Sequence, residues 1–547
     1  MANLNVGIVG GGIAGLYTAL LLQREGCHVR IFEGTDRIGG RVHTHYFTTE
    51  DNQYYEAGAM RIPNSDFHKI VFDLVQHINS RIPEDEMINL IQYILNAPGN
   101  ELYINGMKPQ LAALSSTPAS VGWDVPDEYK NKTARELLDS AIGAFINDLK
   151  QDFDTAFKDI VIDFIETVTS QTNQFSLSVP ELVMQNMDFD ETDWKTIEGG
   201  MSRLPQAMAS LVRHCNITFG ARVTGLEETE DQRVRVTASG YNGSVSAVYD
   251  RVVLAIPPAA LRMLVNRPRW SVEKEVAIRS IHFEALYKMG LRFKTRFWER
   301  VRPNASEGGQ STTDLPIRWI VYPSNAIGDD GPGVLLIYAW MTDASNWLPL
   351  TPIERRNLAL ECIARMYQGQ SDGNKEINVY DLLIETSDAV WSQSTATGDA
   401  MFLPGQFQVR FDVARKPEGN IFFAGEHLSY HHTWISGAAE SALQVVRDML
   451  ENPDLPPLED STIPEEHTES RLPATEPAKV PFEFKCPSPL FGRNLSDSSR
   501  SWPPVGHPDT PERDSDFEYN FPANLGMSGN ILGADMTNLK AVEAGGS

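Results

Sequence analysis

The stretch NVGIVGGGIAGLYTALLLQREG, residues 5 to 26, decides the fold class of this chain. Its first residues form a short apolar, β-branched run that predicts a buried strand, and apolar residues at helical spacing follow. Between them the glycines match G-x-G-x-x-G. Gly10 permits the tight turn, Gly12 lets the backbone approach a pyrophosphate, and Gly15 lets the helix pack on the strand. Because a helix N-terminus also attracts phosphates, the stretch predicts a dinucleotide-binding βα unit.

A second strand, CHVRIFE, ends in Glu33, which is 33 − 15 = 18 residues beyond Gly15. This sequence spacing is the one expected of a carboxylate that accepts hydrogen bonds from a ribose. A tight turn without a ligand would explain the glycines but not the acid that follows them. Since Glu33 suits a free 2′-hydroxyl, the pattern favours FAD or NAD over NADP.

Composition excludes several classes of function. The chain has 547 residues, enough for several domains. Its net charge of −26, from 73 acidic and 47 basic residues, disfavours nucleic-acid and membrane-surface partners. The four cysteines show no close pairing, so we expect neither disulfides nor a metal site. No basic leader precedes the first apolar run and no apolar run is long enough to span a bilayer, which favours a cytoplasmic protein.

The pattern of elements changes along the chain. Residues 67–92 show amphipathic helical periodicity, and residues 124–173 show helical periodicity without a strand signal. Strand patterns return between residues 217 and 258, which suggests that the nucleotide domain is assembled from separated pieces. Beyond residue 453 the chain is rich in Pro, Ser and acidic residues and poor in apolar periodicity, which is typical of disorder.

A series of sequence blocks carries a family resemblance. After the second strand, RIGGRV sets Gly40 and Arg41 where they suit a further approach to the pyrophosphate. The other blocks, in chain order, are GGGIAG, EAGAMRIP, IEGGMSRLPQAM, GGQSTTDLPIRWIVYP, FLPGQFQ and FFAGEHLSYHHTWISGAAESA. Together they resemble the L-amino-acid oxidase branch of the flavin monoamine oxidase family. GAMRIP and STTDLP resemble the amino-acid branch more than the amine and polyamine oxidases.

The resemblance implies a mixed α/β fold with a Rossmann-like FAD-binding domain, a mixed-sheet substrate-binding domain and a helical insertion. It also implies a homodimer. The expected FAD-binding segments are residues 1–66, 197–282 and 405–452, and the expected substrate-binding segments are residues 67–108 and 283–404. A helical domain is expected at residues 109–196, and a disordered tail at residues 453–547.

The resemblance also implies which residues contact FAD. Glu33 matches the ribose contact, Arg41 the pyrophosphate contact and Glu426 the ribityl contact. The full set that matches the family's cofactor positions is Gly10, Gly12, Ile13, Ala14, Gly15, Glu33, Gly34, Gly40, Arg41, Gly58, Ala59, Met60, Arg61, Val223, Gly425, Glu426, Thr433, Trp434, Ile435, Ser436, Gly437 and Ala438.

For the substrate, the resemblance implies a carboxylate clamp made of Arg61 and Tyr338, with Thr433 and Trp434 on the amine side. A bidentate guanidinium–carboxylate pair would fix one end of an amino acid and aim its Cα–H at flavin N5. Arg61, Tyr338 and Trp434 are therefore the candidate catalytic residues. An aromatic residue in an apolar strand, such as Tyr338, is also common in a protein core.

The resemblance leads us to expect FAD-dependent oxidative deamination of an L-amino acid by oxygen, giving a 2-oxo acid, ammonia and hydrogen peroxide. Many family members hold a water at flavin N5 with a lysine, and we expect Gln310 to occupy that position here. Gln310 keeps a second activity open, an amino-acid 2-monooxygenase that forms an amide and carbon dioxide. A catalytically silent binding protein of the same fold is a third alternative, against which the retained GAMR and HTWISG blocks argue.

Overall fold

The computed structural model describes residues 4–148, 159–189, 191–212, 216–240, 243–302, 304–392 and 397–459. The expected tail lies outside the described residues from residue 460 onward. Part of the expected helical insertion, residues 149–158, also lies outside them.

The strands are numbered in chain order. They are β1 (Asn5–Val9), β2 (His28–Phe32), β3 (Thr44–Tyr46), β4 (Tyr54–Glu56), β5 (Ile62–Pro63), β6 (Leu90–Gln92), β7 (Leu102–Tyr103), β8 (Trp194–Ile197), β9 (Ile217–Thr218), β10 (Arg222–Glu228), β11 (Val234–Gly240), β12 (Gly243–Tyr249), β13 (Arg251–Leu254), β14 (Leu286–Phe293), β15 (Val301–Arg302), β16 (Gln310–Thr313), β17 (Trp319–Val321), β18 (Gly333–Trp340), β19 (Ser371–Asp372), β20 (Lys375–Glu376), β21 (Leu383–Trp391) and β22 (Ile421–Phe423).

The α-helices are numbered in the same way. They are α1 (Ile13–Arg24), α2 (Lys69–Asn79), α3 (Ala134–Asp148), α4 (Asp159–Thr169), α5 (Val179–Phe189), α6 (Arg203–Leu211), α7 (Pro258–Arg262), α8 (Val272–Ser280), α9 (Met341–Ser345), α10 (Pro352–Met366), α11 (Val379–Leu382), α12 (Gln406–Arg415) and α13 (Ile435–Leu450).

A five-stranded parallel sheet contains the glycine turn. Its order is β22-β13-β1-β2-β9, so strands from the start, the middle and the end of the described chain lie side by side. Both faces of a parallel sheet are buried, which explains the continuous apolar run of β1. Helices α1 and α13 pack together in the hydrophobic core on one face, and β10, β11, α8 and α12 contribute to the core on the other. The expected mixed α/β fold with a discontinuous Rossmann-like sheet is confirmed.

The second large sheet has six strands in the order β21-β14-β18-β17-β16-β7. Its neighbours are antiparallel except for the parallel pair β16–β7. The central strands β14 and β18 are almost wholly buried, and a separate aromatic-rich core packs against this sheet. Apolar side chains from α3 and α4 pack with Leu102 and Ile104 in a further core.

The structure differs from the sequence-based expectation at residues 67–92. Helix α2 ends at Asn79, a 3-10 turn follows Pro83, and residues Leu90–Gln92 form β6. Proline cannot donate a backbone hydrogen bond within a helix, and β6 pairs antiparallel with β8, so tertiary pairing overrides the local periodicity. The prediction of a helical pattern is confirmed for residues 69–79 and is wrong for residues 83–92.

Candidate active site

A cavity of about 600 Å³ runs along the carboxyl ends of the parallel strands and continues to the six-stranded sheet. The residues that follow β1, β2, β13 and β22 all contribute to its wall. Ligands of open parallel sheets bind at this edge, and the volume suits a cofactor together with a small substrate.

The glycine turn leaves room on the cavity side. Gly10 has a φ of 105°, and a Cβ there would lie 2.4 Å from the carbonyl oxygen of Ala255. A Cβ at Gly15 would lie 2.0 Å from the carbonyl oxygen of Gly10, so helix and turn are in close contact. A Cβ at Gly12 would instead find its nearest neighbour, an oxygen of Gly39, at 4.0 Å. Helix α1 starts beside it without a side-chain cap, which leaves its first N–H groups for phosphates.

Glu33, the predicted ribose contact, directly follows β2 at the edge of the cavity. It is 8% exposed and lines the cavity. Its Oε2 accepts a hydrogen bond from the N–H of Gly11 at 2.8 Å, and its Oε1 accepts from the N–H and hydroxyl of Thr35. Because Oε2 accepts only one of these bonds and has a second lone pair, Glu33 can hold the turn and still accept from a ligand hydroxyl.

Arg41 and Glu426 form an ion pair beside the cavity. Arg41 Nη1 donates to Glu426 Oε1 at 2.7 Å and to the carbonyl oxygen of Gly398 at 2.8 Å. The other oxygen of Glu426 accepts from the N–H of Thr433 at 3.1 Å. Burial alone would raise the pKa of Glu426, but the Arg41 charge lowers it below its ordinary value. Both predicted contacts therefore lie together, with Arg41 already fixed by a carboxylate.

Arg61 lies in a box of aromatic rings. Its Cζ lies 5.1 Å from the ring centre of Phe189, 5.5 Å from that of Trp194 and 5.8 Å from that of Tyr93. The residue is 8% exposed, lines the cavity, and its Nη1 is buried without a hydrogen-bond partner among the described residues. Ring faces attract a cation but supply no negative charge, so a carboxylate from outside the chain would complete the site.

The other predicted substrate residues also line the cavity. Tyr338 is 8% exposed on β18, with its ring 5.1 Å from Trp319, so it is both a core residue and a wall residue. Burial raises the pKa of Tyr338 above its ordinary value, which keeps its hydroxyl protonated. Trp434, just before α13, packs 6.0 Å from Phe189 and 5.9 Å from Trp194. Thr433 adopts a φ of 73° and brings Trp434 to the cavity.

The expectation for Gln310 is wrong. Gln310 begins β16 and is not among the described residues that line the cavity, whereas Lys288 on β14 does line it. Lys288 is 4% exposed, and its Nζ donates to the carbonyl oxygen of Gly58 at 2.6 Å. Burial, together with the nearby charge of Arg61, lowers the pKa of Lys288 to about 7. The sequence blocks assigned the position to a neutral residue on a different strand of the same sheet.

The remaining cofactor candidates divide into two groups. Gly15, Ser436 and Gly437 do not line the cavity but support the backbone behind it; a Cβ at Gly437, for example, would lie 1.9 Å from the carbonyl oxygen of His431. All the others line it: Gly10, Gly12, Ile13, Ala14, Glu33, Gly34, Gly40, Arg41, Gly58, Ala59, Met60, Arg61, Val223, Gly425, Glu426, Thr433, Trp434, Ile435 and Ala438.

Sequence reasoning missed several wall residues. Gln185 and Phe189 both line the cavity from α5, and their i, i+4 spacing is the signal that could have identified one helix face. Asp399 and Trp391 come from the region around β21 and carry no motif.

Within the part of the chain that the structure describes, no helix has both the length and the apolar character needed to cross a bilayer.

Comparison with known proteins agrees with this geometry. Residues 13–450 match the family model of flavin containing amine oxidoreductases. A putative L-amino-acid oxidase, YobN of Bacillus subtilis, is 29% identical over 81% of this chain and 94% of its own length. L-amino-acid oxidase 4 of Hebeloma cylindrosporum is 26% identical over 89% of this chain and 84% of its own length.

Solved structures share the fold. Putrescine oxidase bound to putrescine superimposes with a TM-score of 0.61 at 18% identity, covering 82% of this chain and 99% of that one. Cyclohexylamine oxidase from Brevibacterium oxydans gives a TM-score of 0.60 at 17% identity, with the same coverage of both chains. The family match extends over most of the chain and includes the Arg41–Glu426 pair and the Arg61 box. This chain therefore belongs to the flavin containing amine oxidoreductase family, and its cofactor is FAD.

Proposed function

We propose that this chain catalyses the oxidative deamination of an L-amino acid with oxygen as the electron acceptor. The observation that carries the proposal is Arg61, a buried guanidinium that opens on the FAD cavity and has no carboxylate partner among the described residues. A buried, unpaired charge is costly, so the residue is best explained by a ligand that brings the opposite charge.

The charge of Arg61 distinguishes amino acids from simple amines as substrates. An α-amino acid supplies a carboxylate for the planar fork of the guanidinium, and two parallel hydrogen bonds then fix its orientation. A simple amine would bring a second positive charge into a cavity that already holds Arg61. The curated relatives named L-amino-acid oxidases support this assignment.

The remaining wall residues have roles that follow from their positions. Tyr338 keeps a protonated hydroxyl in the cavity and can donate a second hydrogen bond to the carboxylate. Trp434 and Phe189 exclude water beside Arg61, and a dry environment strengthens the contact between Arg61 and the substrate carboxylate. Lys288 is a buried amine at the cavity wall, and we assign to it the water-binding role that the family resemblance gives to a lysine.

FAD, when bound, supplies the acceptor for a hydride from the substrate Cα. The chain's own residues bind the substrate carboxylate, orient the Cα–H and keep bulk water out. The neutral amino group becomes an imine, which water hydrolyses to a 2-oxo acid and ammonia. Oxygen takes up the two electrons and two protons and leaves as hydrogen peroxide.

The position of Lys288 also bears on the monooxygenase alternative. That alternative rested on the absence of a lysine, with Gln310 in its place. Since Gln310 does not line the cavity and Lys288 does, the reason that Gln310 gave for keeping amide formation open no longer holds. Oxidase chemistry is therefore the function that we propose.

An anaerobic bleaching screen tests the proposal. The purified yellow protein is mixed without oxygen with each common L-amino acid, its D-enantiomer and the amine that lacks the carboxyl group. We expect bleaching at 450 nm by one or more L-amino acids, and in air equal amounts of 2-oxo acid, ammonia and hydrogen peroxide. Bleaching by amines alone would refute the proposal, and amide with carbon dioxide as products would establish the monooxygenase instead.

A further inference from the structure

His68 connects two other buried polar side chains. Its Nε2 lies 3.0 Å from Asp188 Oδ1, and its Nδ1 lies 2.8 Å from the hydroxyl oxygen of Ser436. His68 is 1% exposed, Asp188 6% and Ser436 fully buried. A carboxylate can only accept, so Nε2–H donates to Asp188, and in the neutral imidazole Nδ1 accepts from Ser436.

These residue types also form nucleophilic triads, but the geometry excludes that role here. Ser436 has no exposed surface, and neither Ser436 nor His68 is among the described residues that line the cavity. A nucleophile must reach its substrate. The hydrogen-bonded network of Asp188, His68 and Ser436 therefore acts on neighbouring side chains rather than on a bound molecule.

The Asp188–His68–Ser436 network contacts the walls of the Arg61 site. Asp188 directly precedes Phe189, whose ring lies against the Arg61 guanidinium. The His68 ring itself packs edge-on against Trp434, with centres 5.1 Å apart and planes at 71°. Phe189 and Trp434 also contact one another at 6.0 Å. The His68 imidazole thus contacts Trp434 directly, and it fixes Asp188, the residue next to Phe189.

The Asp188–His68–Ser436 network joins helices that are distant in sequence. His68 immediately precedes α2, Asp188 lies in the last turn of α5, and Ser436 lies in the first turn of α13. A second buried pair, Glu181 with His432 at 2.9 Å, holds α5 two helical turns earlier. Helix α5 is therefore fixed at both ends against the segment that contains Trp434.

We propose that Asp188, His68 and Ser436 are positioning residues for the substrate carboxylate. They hold Phe189 and Trp434 so that the Arg61 fork has one orientation in a dry box. The inference rests on the proposed function, since it assigns the purpose of the box to carboxylate binding. A fully satisfied buried network is rigid, and a displacement of about 1 Å in such a site can cost about a hundredfold in kcat/KM.

The test compares Asp188→Ala with Asp188→Asn. The asparagine oxygen can still accept from His68, whereas alanine leaves that N–H without an acceptor. We expect Asp188→Ala to raise KM for the L-amino acid by about ten- to a hundredfold, with a much smaller change in kcat and full FAD content. We expect Asp188→Asn to remain close to the wild type.

A matched control comes from the same neighbourhood. Asp73 on α2 pairs with Lys69, which is 65% exposed, so Asp73→Asn removes a carboxylate that fixes no wall residue. We expect its KM and kcat to equal those of the wild type. If Asp188→Ala does not fold, Ser436→Ala, which deletes only a hydroxyl, is expected to raise KM in the same direction.

Two results would overturn the inference. One is a folded, FAD-loaded Asp188→Ala enzyme with the wild-type KM, and the other is an Asp188→Asn enzyme as impaired as Asp188→Ala. Failure of the proposed function is a separate outcome, because then the wild type itself oxidises no L-amino acid. A crystal structure of Asp188→Ala gives an independent readout, the separation of Phe189 from Arg61, which is 5.1 Å in the wild type and is expected to increase.

Discussion

The Arg61 guanidinium carbon lies 5.1 Å from the centre of the Phe189 ring, and Arg61 Nη1 has no hydrogen-bond partner among the described residues. The two residues are 189 − 61 = 128 positions apart and come from a loop and a helix. Aromatic faces hold the cation in place without neutralising it. The site therefore keeps its charge available for an incoming carboxylate, which is the basis of the proposed substrate class.

The glycine turn gives a prediction about FAD binding. A Cβ at Gly12 meets nothing closer than 4.0 Å among the described residues, so Gly12→Ala is expected to fold normally. The added methyl group would protrude where the backbone must approach the pyrophosphate. We therefore expect the variant to bind FAD about tenfold or more weakly, as measured by titrating apoprotein with FAD and following flavin fluorescence.

The control for this variant is Gly143→Ala. Gly143 lies in α3, and a Cβ there has no neighbour within 4 Å in the part of the chain that the structure describes. Both substitutions add one methyl group in open space, but only one of them is at the cavity. Equal FAD affinity in the two variants would show that the glycine turn does not contact the cofactor.

The charge state of Lys288 predicts how activity depends on pH. Burial and the Arg61 charge lower the pKa of Lys288 to about 7. Asp399 lines the same cavity, and burial together with the Glu426 charge raises its pKa to about 7. As pH rises through this value, one residue loses a positive charge and the other gains a negative charge. Both changes favour entry of a substrate ammonium group, so kcat/KM is expected to rise near pH 7.

Substitutions separate the two contributions to this rise. Lys288→Met is expected to reduce the step in kcat/KM near pH 7, and Lys288→Met with Asp399→Asn is expected to remove it. Lys294→Met serves as the control, because Lys294 is exposed just beyond the end of β14. If the pH–rate profile of the double variant keeps the full wild-type step, the titration of Lys288 and Asp399 is not its cause.

The His432–Glu181 pair predicts how stability depends on pH. Burial alone would lower the pKa of His432, but the carboxylates of Glu181 and Glu426 raise it above the ordinary value. The folded state therefore holds a proton that the unfolded chain releases above about pH 6.5. The stabilisation is complete below that pH and is lost as pH rises through the folded-state pKa.

This dependence is measurable as a difference between variants. The Tm of the wild type minus that of His432→Asn is expected to be largest near pH 6 and to shrink towards pH 8. His28→Asn is the control for the loss of a histidine, since His28 is exposed on β2. A difference for His432→Asn that grows with pH would contradict the assignment of the raised pKa.

Local motifs explain why part of the site could be predicted from the sequence. The glycine turn and Glu33 lie within one βα unit and the strand after it, so their spacing alone brings them to the same edge of the sheet. Arg61 and Trp434 were found through resemblance to family blocks. Each of these blocks is short, and in the folded protein the blocks that contain Arg61 and Trp434 both line one cavity.

The residues that were missed depend on long-range packing. Phe189 and Trp194 come from the expected helical insertion and its end, and nothing in their local sequence indicates contact with Arg61. The lysine was missed because Lys288 sits on β14, 310 − 288 = 22 residues before Gln310, in the same sheet but on a different strand. The domain boundaries, the homodimer and the cytoplasmic location stay predictions.

The most direct measurement of the central claim compares two substrates on Arg61→Met: the best L-amino acid and the amine with the same side chain but no carboxyl group. Losing two charge-assisted hydrogen bonds costs about 3–6 kcal/mol, so we predict a fall of about a hundred- to ten-thousandfold in kcat/KM for the amino acid. The amine is predicted to be oxidised no more slowly than by the wild type. An Arg61→Met enzyme that retains wild-type kcat/KM for the amino acid would contradict the account.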